Sequence, residues 1–427
     1  MTEGARTLIT LLMSTGLTLA VAHLFLPIPL YWGALPLWLA ALIQLPRLSA
    51  LLRNQVLLLS LCGLAPMSMV LYMGKAVEWQ RALAINMPLI CIIMGAGMLK
   101  LVCLPPKGKE GKLAQGPRAL WQTLLGVHAF SAAINMSALY IAGDRLSAHK
   151  PLTLNQGSLL ARAFTTSMFW SPLMAGMALA LSWAPGASLG SLIHWGLPLS
   201  LLMMAITVWQ IRLNDKTEFL GFNGFPVSLG SLAIPLALTL LVLTISHFEP
   251  TLSIPLLVSG AAPLITLLIK GLGGGRQGLG EVARHARLQM PAMGGELCLF
   301  LAAGVFAVGL SSAFNALGAG HMAVTLNHWH TAAILVGIVV LAYLGLHPIA
   351  SIAIAGSWTQ AMTVDPNLLA FTYLASWSIG VVANPFSGTM LAMVSRYGLP
   401  YPALRRHNLP FVAASLALAI GAMIFIA

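Results

Sequence analysis

Long apolar runs separated by short polar loops dominate the chain. Runs long enough to cross a bilayer, which takes about 17–25 residues, lie at residues 7–26, 28–46, 55–74, 83–104, 155–183, 190–211, 226–247, 252–270, 293–317, 367–394 and 408–427. This pattern predicts an all-α integral membrane protein with about 11 transmembrane helices. The first run is expected to be a leading transmembrane helix within residues 1–27 rather than a cleaved secretory signal, although Ala20, Val21 and Ala22 resemble a cleavage site.

Two of the runs are interrupted near the middle by a short polar stretch that contains proline. The run 155–183 contains Thr165, Thr166, Ser167, Met168, Phe169, Trp170, Ser171 and Pro172, and the run 367–394 contains Asn384, Pro385, Phe386, Ser387, Gly388 and Thr389. A helix broken inside a bilayer leaves backbone groups without partners, so we expect these breaks to line an enclosed cavity. Matching breaks in two halves indicate the binding site of a transporter. The alternative is a proline kink whose Ser and Thr hydroxyls bond to local carbonyls.

The positions of Lys and Arg decide how two further apolar segments, 119–144 and 330–363, are interpreted. Suppose that each segment enters the membrane and returns on the same side, with the N-terminus in the cytoplasm. All basic residues except Lys75, Arg81 and Arg162 then lie at the N-terminus or in cytoplasmic loops. Because cytoplasmic loops carry an excess of Lys and Arg, the distribution predicts two re-entrant hairpins and a C-terminus outside.

With hairpins at 119–144 and 330–363, the same order of elements occurs twice. Three spans, a hairpin, a broken span (155–183 or 367–394) and a final span follow one another in each half. The first half starts outside and the second starts inside. The sequence therefore predicts two inverted repeats with discontinuous helices, at residues 28–212 and 213–427.

Composition agrees with a membrane protein and excludes several other classes. The chain is 58% hydrophobic and 7% charged, whereas soluble domains carry about 25% charged residues. The net charge of +12 comes from short loops between apolar runs, so it indicates membrane topology and not nucleic-acid binding. The four cysteines lie in apolar runs and are interpreted as core residues. Because the chain has no GxxxxGK[ST] motif, we expect ion gradients to drive it, with Na⁺ or H⁺ as coupling ion and no other cofactor.

The breaks and hairpins supply the candidate binding residues. Helix N-termini carry partial positive charge and free N–H groups, which suit an anion, and nearby hydroxyls and amides add ligands. The candidate substrate-binding residues are Asn135, Ser137, Arg162, Thr165, Thr166, Ser167, His347, Ser351, Asn384, Ser387, Gly388 and Thr389. The candidates for ion coupling are Glu296, His347 and Asn384.

Several of these residues have an ordinary structural interpretation as well. Asn135 could cap a helix, and His347 could be a hydrogen-bonded structural histidine. Arg162 could snorkel to the cytoplasmic surface, and Glu296 could lie at a helix mouth. Asp144 and Arg145 are expected to form a solvated pair at the end of the first hairpin. The segment 276–290 is expected to form an amphipathic helix on the cytoplasmic face.

This layout resembles the ion transporter superfamily, which includes the divalent-anion/sodium symporters and the arsenite exporters. The resemblance covers nearly the whole chain and implies an elevator-type carrier, in the form of a homodimer with a site in each protomer. In the symporters, Ser-Asn-Thr sequences at the hairpin tips help to bind substrate and sodium. Here the hairpins contain Phe130-Ser131-Ala132-Ala133-Ile134-Asn135-Met136-Ser137 and Gly345-Leu346-His347-Pro348-Ile349-Ala350-Ser351, so the resemblance fixes neither the ion nor the substrate.

The sequence thus favours a secondary active transporter for a small organic or inorganic anion in a bacterial-type inner membrane. The alternative is an exporter or a cation/proton antiporter, in which Glu296 and His347 would exchange protons. A membrane-embedded enzyme acting on a lipid-linked substrate is disfavoured, because the ten acidic residues lie mostly at loop ends and offer no convergent catalytic group. The expected partners are the anion, membrane lipid and a second protomer.

Overall fold

The computed structural model describes residues 2–103, 114–148, 150–224, 233–318, 324–360 and 362–426. Most of the basic loop predicted at 100–118 and the start of the span predicted at 226–247 lie outside the described residues. Eight helical segments in the described part are long and apolar enough to cross a membrane. The prediction of an all-α integral membrane protein is therefore confirmed. In the described part, β-structure is limited to the antiparallel strands β1 (Ala114–Gln115) and β2 (Asn223–Gly224) and one isolated bridge.

The chain divides into two compact units, each assembled from three separate stretches. Unit 1 comprises residues 1–102, 240–326 and 352–364, and unit 2 comprises residues 103–239, 327–351 and 365–427. Each unit takes segments from both predicted repeats, so the units do not coincide with the halves 28–212 and 213–427. The inverted relation of those halves remains a prediction.

Unit 1 is built mainly from long helices. They are α1 (Glu3–Ala22), α2 (Leu30–Gln44), α3 (Ala50–Tyr72), α4 (Trp79–Ala84), α5 (Met87–Gly97), α6 (Lys100–Cys103), α14 (Ile254–Ala292) and α15 (Gly294–Ala316). Glycines let two helix pairs approach closely. A Cβ atom on Gly63 of α3 would lie 2.6 Å from the backbone of Phe306 on α15, and one on Gly16 of α1 would lie 2.9 Å from the carbonyl oxygen of Gly33 on α2. Such small-residue contacts hold helices together where apolar burial gives no preference over lipid.

Two elements of unit 1 differ from the predicted spans. The run 83–104 is divided among α4, α5 and α6, because the chain turns at Asn86, whose side chain donates to the Phe300 carbonyl at 2.8 Å. Pro88 then stands in the first turn of α5, where its missing N–H costs nothing. The run predicted at 252–270 continues to residue 292 in α14, but it bends at Gly275, which has φ of +51°.

Unit 2 holds both runs that the sequence shows as interrupted. Its helices are α7 (Pro117–Ile134), α8 (Met136–Leu146), α9 (Leu154–Ser167), α10 (Ala175–Trp183), α11 (Leu189–Asn214), α12 (Lys216–Leu220), α16 (His328–Tyr343), α18 (Pro366–Ala383), α19 (Gly388–Ser395) and α20 (Tyr401–Ile426). Helices α13 (Ala233–Phe248) and α17 (Pro348–Thr359) contribute their first residues to unit 2 and the remainder to unit 1.

Helix α18 forms the centre of unit 2 and contacts α9, α10, α16 and α20. Every residue from Leu368 to Ala383 is buried, which explains why this run is apolar on all sides. Helix α9 is also buried through most of its length but carries many polar side chains. Buried polar groups need hydrogen-bond partners. The polar interior of unit 2 is therefore the candidate location of a binding site.

Candidate functional site

Four irregular segments of unit 2 frame the candidate site. Turn one is Asn135, between α7 and α8, and turn two is residues 344–347, between α16 and α17. The first break is residues 168–174, between α9 and α10, and the second break is residues 384–387, between α18 and α19. Each of the four lies where the sequence predicts a hairpin tip or a helix interruption.

Asn135 makes turn one by ending one helix and starting the next. Its φ of +57° is the only positive value at a non-glycine residue in the described part, a conformation that asparagine tolerates better than most residues. The backbone N–H donates to the Ser131 carbonyl at 2.9 Å, and the side-chain Oδ1 accepts from the Met136 N–H at 2.8 Å. Asn135 therefore has the capping role, and its Nδ2 group makes no hydrogen bond to any described residue. Ser137 lies in the next turn and is half-buried.

The hydroxyl groups just before the first break bond to their own helix. Thr165 donates to the carbonyl of Ala161 at 3.1 Å, Thr166 to that of Arg162 at 2.7 Å, and Ser167 to that of Phe164 at 2.7 Å. This is the local bonding expected of a kinked helix. Since a hydroxyl that donates can still accept, each of the three retains acceptor capacity only.

Ser171 connects the first break to turn one. Its hydroxyl donates to the Ala132 carbonyl at 2.6 Å and accepts from the Leu173 N–H at 3.2 Å. In the second break Asn384 makes the corresponding connection to turn two, since its Nδ2 donates to the Leu346 carbonyl at 2.8 Å. Its Oδ1 accepts from the Phe386 N–H at 2.7 Å. In each case a polar side chain in the break holds a carbonyl beside a turn.

A second polar connection at the first break runs through a histidine. The indole of Trp170 donates to His128 Nε2 at 2.9 Å, and His128 Nδ1 lies 3.1 Å from the Thr166 hydroxyl. Because an indole N–H can only donate, Nε2 must be the unprotonated nitrogen and Nδ1 must carry the hydrogen. His128 is thus a neutral, buried hydrogen-bonded residue that fixes α7 to the first break.

His347 occupies turn two. Its Nδ1 accepts from the Ile349 N–H at 3.3 Å and thereby caps α17, and its ring packs edge-on against Trp377 with centroids 6.0 Å apart. Nδ1 must be unprotonated to accept this bond. A doubly protonated His347 would therefore lose the cap, which gives the residue a structural role that competes with proton relay.

Contacts among these segments close into a ring. Trp377 of α18 packs against His347, and a Cβ atom on Gly176 at the start of α10 would lie 3.3 Å from its ring. Gly388, at the start of α19, lies beside Met136, which directly follows turn one and whose Sδ would be 3.3 Å from a Cβ there. Together with the Ser171 and Asn384 bonds, these contacts of the four segments and their flanking residues link the first break to turn two, turn two to the second break, the second break to turn one, and turn one to the first break. We call this arrangement the unit 2 ring.

The two helices that restart at the ring direct their N-termini into it. Helix α19 is capped by Ser387, whose hydroxyl accepts from the Met390 N–H at 3.2 Å, whereas no side chain caps α10 at Met174. The backbone dipoles of both helices place partial positive charge at these ends. An anion is the ligand that such ends favour.

Four hydroxyl groups close to the ring have no hydrogen-bond partner among the described residues. They belong to Ser131, Ser351, Ser376 and Thr389, whose side chains are at most 2% exposed. Each stands within about one helical turn of a ring residue. A buried hydroxyl without a partner costs about 1–3 kcal/mol, so these groups are suited to bind a polar ligand. Ser351 and Thr389 were candidates from the sequence, while Ser131 and Ser376 were not.

Arg162 is fully buried in α9 and does not snorkel to a surface. Its Nε donates to Asn408 Oδ1 at 3.0 Å, one terminal nitrogen to Gln210 Oε1 at 2.9 Å, and the other to the His407 carbonyl at 3.0 Å. The guanidinium also lies 4.6 Å from the centre of the Phe411 ring. All these acceptors are neutral, so the charge is solvated but not cancelled. Direct contact with a substrate would require one of these bonds to break.

Two residues named from the sequence lie elsewhere. Glu296 is an exposed residue in the first turn of α15 and belongs to unit 1, so the structure does not place it in the unit 2 ring. Asp144 does not form the expected pair with Arg145. It accepts a bidentate bond from Arg396 at 2.8 and 2.6 Å and a further bond from Tyr397 at 3.0 Å. The Arg396 bonds hold the pKa of the Asp144 carboxyl below its usual range.

Comparison with known proteins adds no family assignment. The sequence matches no protein-family model. A search of curated protein sequences gives no significant match.

Proposed function

We propose that this protein is a secondary active transporter that moves a small anion across the membrane and binds it in the unit 2 ring. The observation that supports this most strongly is the closure of the ring itself. Two helix interruptions and two turns, far apart in sequence, are joined within one compact unit by side-chain hydrogen bonds and by close packing of the residues that flank them. Irregular backbone at membrane depth is tolerated where it lines a cavity or binding site.

The sign of the charge in unit 2 favours an anion over a cation. Arg162 lies five residues before the end of α9, about 8 Å along the helix axis, and its partners are neutral. No Asp or Glu side chain is among the buried residues of the described part. A buried cation with helix N-termini nearby gives a positive potential that attracts a carboxylate or an inorganic oxyanion.

The same observations argue against the cation/proton antiporter. Such a carrier needs a buried carboxylate that exchanges protons for cations, and the described buried residues include none. His128 and His347 are each held in a neutral tautomer by their hydrogen bonds. Na⁺ remains a suitable coupling ion, since carbonyl and hydroxyl oxygens of the breaks could coordinate it. An exporter of the same architecture remains the alternative, because direction depends on the gradient used.

The proposal includes an elevator-type mechanism, which the resemblance to the ion transporter superfamily implies. In that mechanism one rigid part of each protomer carries the whole site across the membrane. The ring lies entirely within unit 2, as such a mechanism requires. The homodimer, the bacterial-type inner membrane and a cytoplasmic N-terminus belong to the same proposal.

Uptake into proteoliposomes tests the function directly. The purified chain is reconstituted, and a panel of labelled anions (phosphate, sulfate, acetate, lactate, succinate and citrate) is offered under an imposed Na⁺ gradient and, separately, an imposed pH gradient. The proposal expects at least one anion to accumulate above its external concentration under one of the gradients. Labelled Rb⁺ should not accumulate.

Two results would contradict the proposal. One is uptake of every panel member no faster than in protein-free liposomes under both gradients. The other is accumulation of Rb⁺ in place of the anions. Dependence on Na⁺ with no dependence on pH would reject His347 and Glu296 as proton couplers, and would leave the anion site intact.

A further inference from the structure

The second part of α14, residues 276–290, forms a surface that the transport proposal does not use. We call it the basic segment. At Gly275 the backbone adopts φ of +51°, and the chain turns sharply, since a Cβ atom on Gly278 would lie only 1.9 Å from the carbonyl oxygen of Lys270. Lys270 also pairs with Glu281 at 2.9 Å. The basic segment therefore folds back against the end of the apolar part of α14.

One face of the basic segment is fixed against unit 1. Val282 and Met290 are buried, His285 Nε2 lies 3.2 Å from the Gly97 carbonyl, and the Ser14 hydroxyl bonds to the Met290 sulfur at 3.4 Å. The segment is consequently a held helix and not a loose tail. The opposite face of this helix makes none of these contacts.

Three arginines share that opposite face. Arg276, Arg284 and Arg287 are exposed, and they fall within an arc of about 80° around the helix axis. None of them makes a hydrogen bond or ion pair with any described residue, while the nearest acid, Glu281, is already paired with Lys270. Gly280 lies within this arc, and nothing is within 4 Å of a Cβ atom placed on it, so the surface between the arginines is open to a headgroup.

Exposed leucines border the arginine face on both sides. Leu279 is 45% exposed, Leu288 is 60% exposed, and Leu272, just before the turn, is 87% exposed. The basic segment directly continues an apolar run of spanning length, so its beginning lies at the membrane boundary. Leucines beside arginines at that depth are typical of a helix that contacts acyl chains and headgroups together.

Further basic residues surround the segment within unit 1. Its far end leads to Gly294 and Gly295, whose backbones pack against Gln44 and Leu52. These contacts bring Arg47, three residues after Gln44, and Arg53, next to Leu52, to the same end of unit 1. Burial, and then the nearby charge of Lys100, lower the pKa of His285 in the segment. Lys and Arg outnumber the acids Glu281 and Glu296 at this end, so its net charge is positive.

We propose that the basic segment binds the headgroups of anionic phospholipids in the bilayer that surrounds the protein. Charge complementarity and continuity with a membrane span both point to this occupant. Groups of four to eight Lys and Arg next to a span are suited to anionic lipid. This inference depends on the membrane location of the chain and not on its transport activity.

Titration of a fluorescent phosphatidylglycerol into the full-length protein in non-ionic detergent tests the inference. The variant Arg276→Gln/Arg284→Gln/Arg287→Gln removes the proposed contacts, and Arg276→Lys/Arg284→Lys/Arg287→Lys keeps the charge. Arg212→Gln/Lys216→Gln/Arg406→Gln is the matched control, because it removes the same charge from exposed residues of unit 2 that make no hydrogen bond or ion pair with a described residue. Unlabelled phosphatidylglycerol, phosphatidylcholine and inorganic phosphate serve as competitors, and thermal melting verifies that every variant is folded.

We expect the glutamine variant to bind at least about tenfold more weakly, since each surface Lys or Arg contributes about 1 kcal/mol. The lysine variant and the unit 2 control should bind like the unmodified chain, and only unlabelled phosphatidylglycerol should compete. Equal binding by the glutamine variant would overturn the proposal, as would an equal loss in the control. Competition by millimolar phosphate would instead identify a site for soluble anions, and would overturn the assignment to lipid.

Discussion

At the scale of single residues, the buried hydroxyls beside the unit 2 ring form two groups. One group bonds within its own helix, and the other has no partner among the described residues. Thr165, Thr166 and Ser167 bond to carbonyls of their own helix, as many buried hydroxyls do in membrane helices. Ser131 and Ser351 have no partner among the described residues. An unsatisfied hydroxyl lowers stability, so Ser131 and Ser351, which lie beside the ring, are suited to bind a polar ligand.

Replacing Ser131 or Ser351 by alanine should therefore affect transport and not stability. We expect the apparent KM for the transported anion to rise by about fivefold to tenfold, the effect of losing one hydrogen bond. The melting temperature should stay the same or rise. Uptake kinetics and thermal melting in detergent measure the two effects.

Ser158→Ala is the matched control for these variants. Ser158 is also a buried serine without a partner among the described residues, but it lies about 14 Å along α9 from Ser167. Its KM should not change. If Ser158→Ala raised KM as much as the ring variants, or if neither ring variant changed it, the hydroxyls would have no specific role in binding.

Arg162 should behave in the opposite way, because its side chain is bonded throughout. Arg162→Met leaves the acceptors of Asn408 and Gln210 without a donor, and the expected loss is about 3 kcal/mol or more in the free energy of unfolding. Arg162→Lys should recover only part of it, since an ammonium group cannot reproduce the planar fork. Denaturant unfolding of the detergent-solubilised variants measures both. If the free energy of unfolding of Arg162→Met were within about 0.5 kcal/mol of that of the unmodified chain, these bonds would contribute little to stability.

Single residues also show what the sequence can and cannot predict. Asn135 and Asn384 are candidates from the sequence because their amides lie at a predicted hairpin turn and beside a predicted helix break. The Trp170–His128 bond spans 42 residues, and no local pattern brings the two together. Ser131 lies in an apolar run where a serine carries no signal. The partners of Arg162 come from α11 and α20 and are equally invisible to local patterns.

At the scale of elements, proline and glycine explain most of what was predicted and what was missed. Pro172 and Pro385 lie inside the two breaks, since proline cannot continue a helix without losing a hydrogen bond. The division of the run 83–104 was missed, because its turn is stabilised by the distant Phe300 carbonyl. The sharp turn at Gly275 was also missed, although the amphipathic segment after it was recognised.

The bond between α8 and the residues after α19 gives a prediction for pH dependence. The Arg396 hydrogen bonds lower the pKa of Asp144, so the carboxylate contributes stability above the unfolded pKa of about 3.9 and loses it as pH falls through the folded value. Because both side chains are about half exposed, the contribution should be about 1 kcal/mol or less. The melting temperature of Asp144→Asn should lie below that of the unmodified chain by a constant amount from about pH 5 to 8.

Below about pH 4 that difference should shrink and then vanish, because the unmodified carboxyl becomes protonated as well. Thermal melting across this range measures it. A difference that stays constant down to pH 3, or that is absent at pH 7, would contradict the assigned role of the Asp144–Arg396 pair.

The contact between α3 and α15 gives a prediction about packing. A Cβ atom on Gly309 would lie 2.1 Å from the carbonyl oxygen of Gly63, so Gly309→Val should force the helices apart and cost about 1–3 kcal/mol. Gly337→Val on α16 is the control, because nothing lies within 4 Å of a Cβ atom there. Melting temperatures compare the two. Equal stability of both variants would mean that α3 and α15 separate without cost.

At the scale of the whole molecule, the two compact units are the feature that the sequence did not reveal. Composition and the length of the apolar runs are sufficient to predict an integral membrane protein, because the bilayer alone sets how long and how apolar a spanning helix must be. The interleaving of three stretches in each unit depends on contacts between helices far apart in sequence. Such contacts are made by small residues and single hydrogen bonds, which leave little periodic pattern.

The central claim is that the unit 2 ring holds the transported anion, and the two asparagines of the ring test it most directly. The measurement is the initial rate of gradient-driven anion uptake into proteoliposomes by Asn135→Gly and Asn384→Ala, with Ser158→Ala as control. Glycine is used at position 135 because it accepts the positive φ. The account predicts that both ring variants remain folded and lose at least about tenfold in rate, an effect of about 1.4 kcal/mol, while the control keeps its rate. Rates equal to that of the unmodified chain in both ring variants would contradict it.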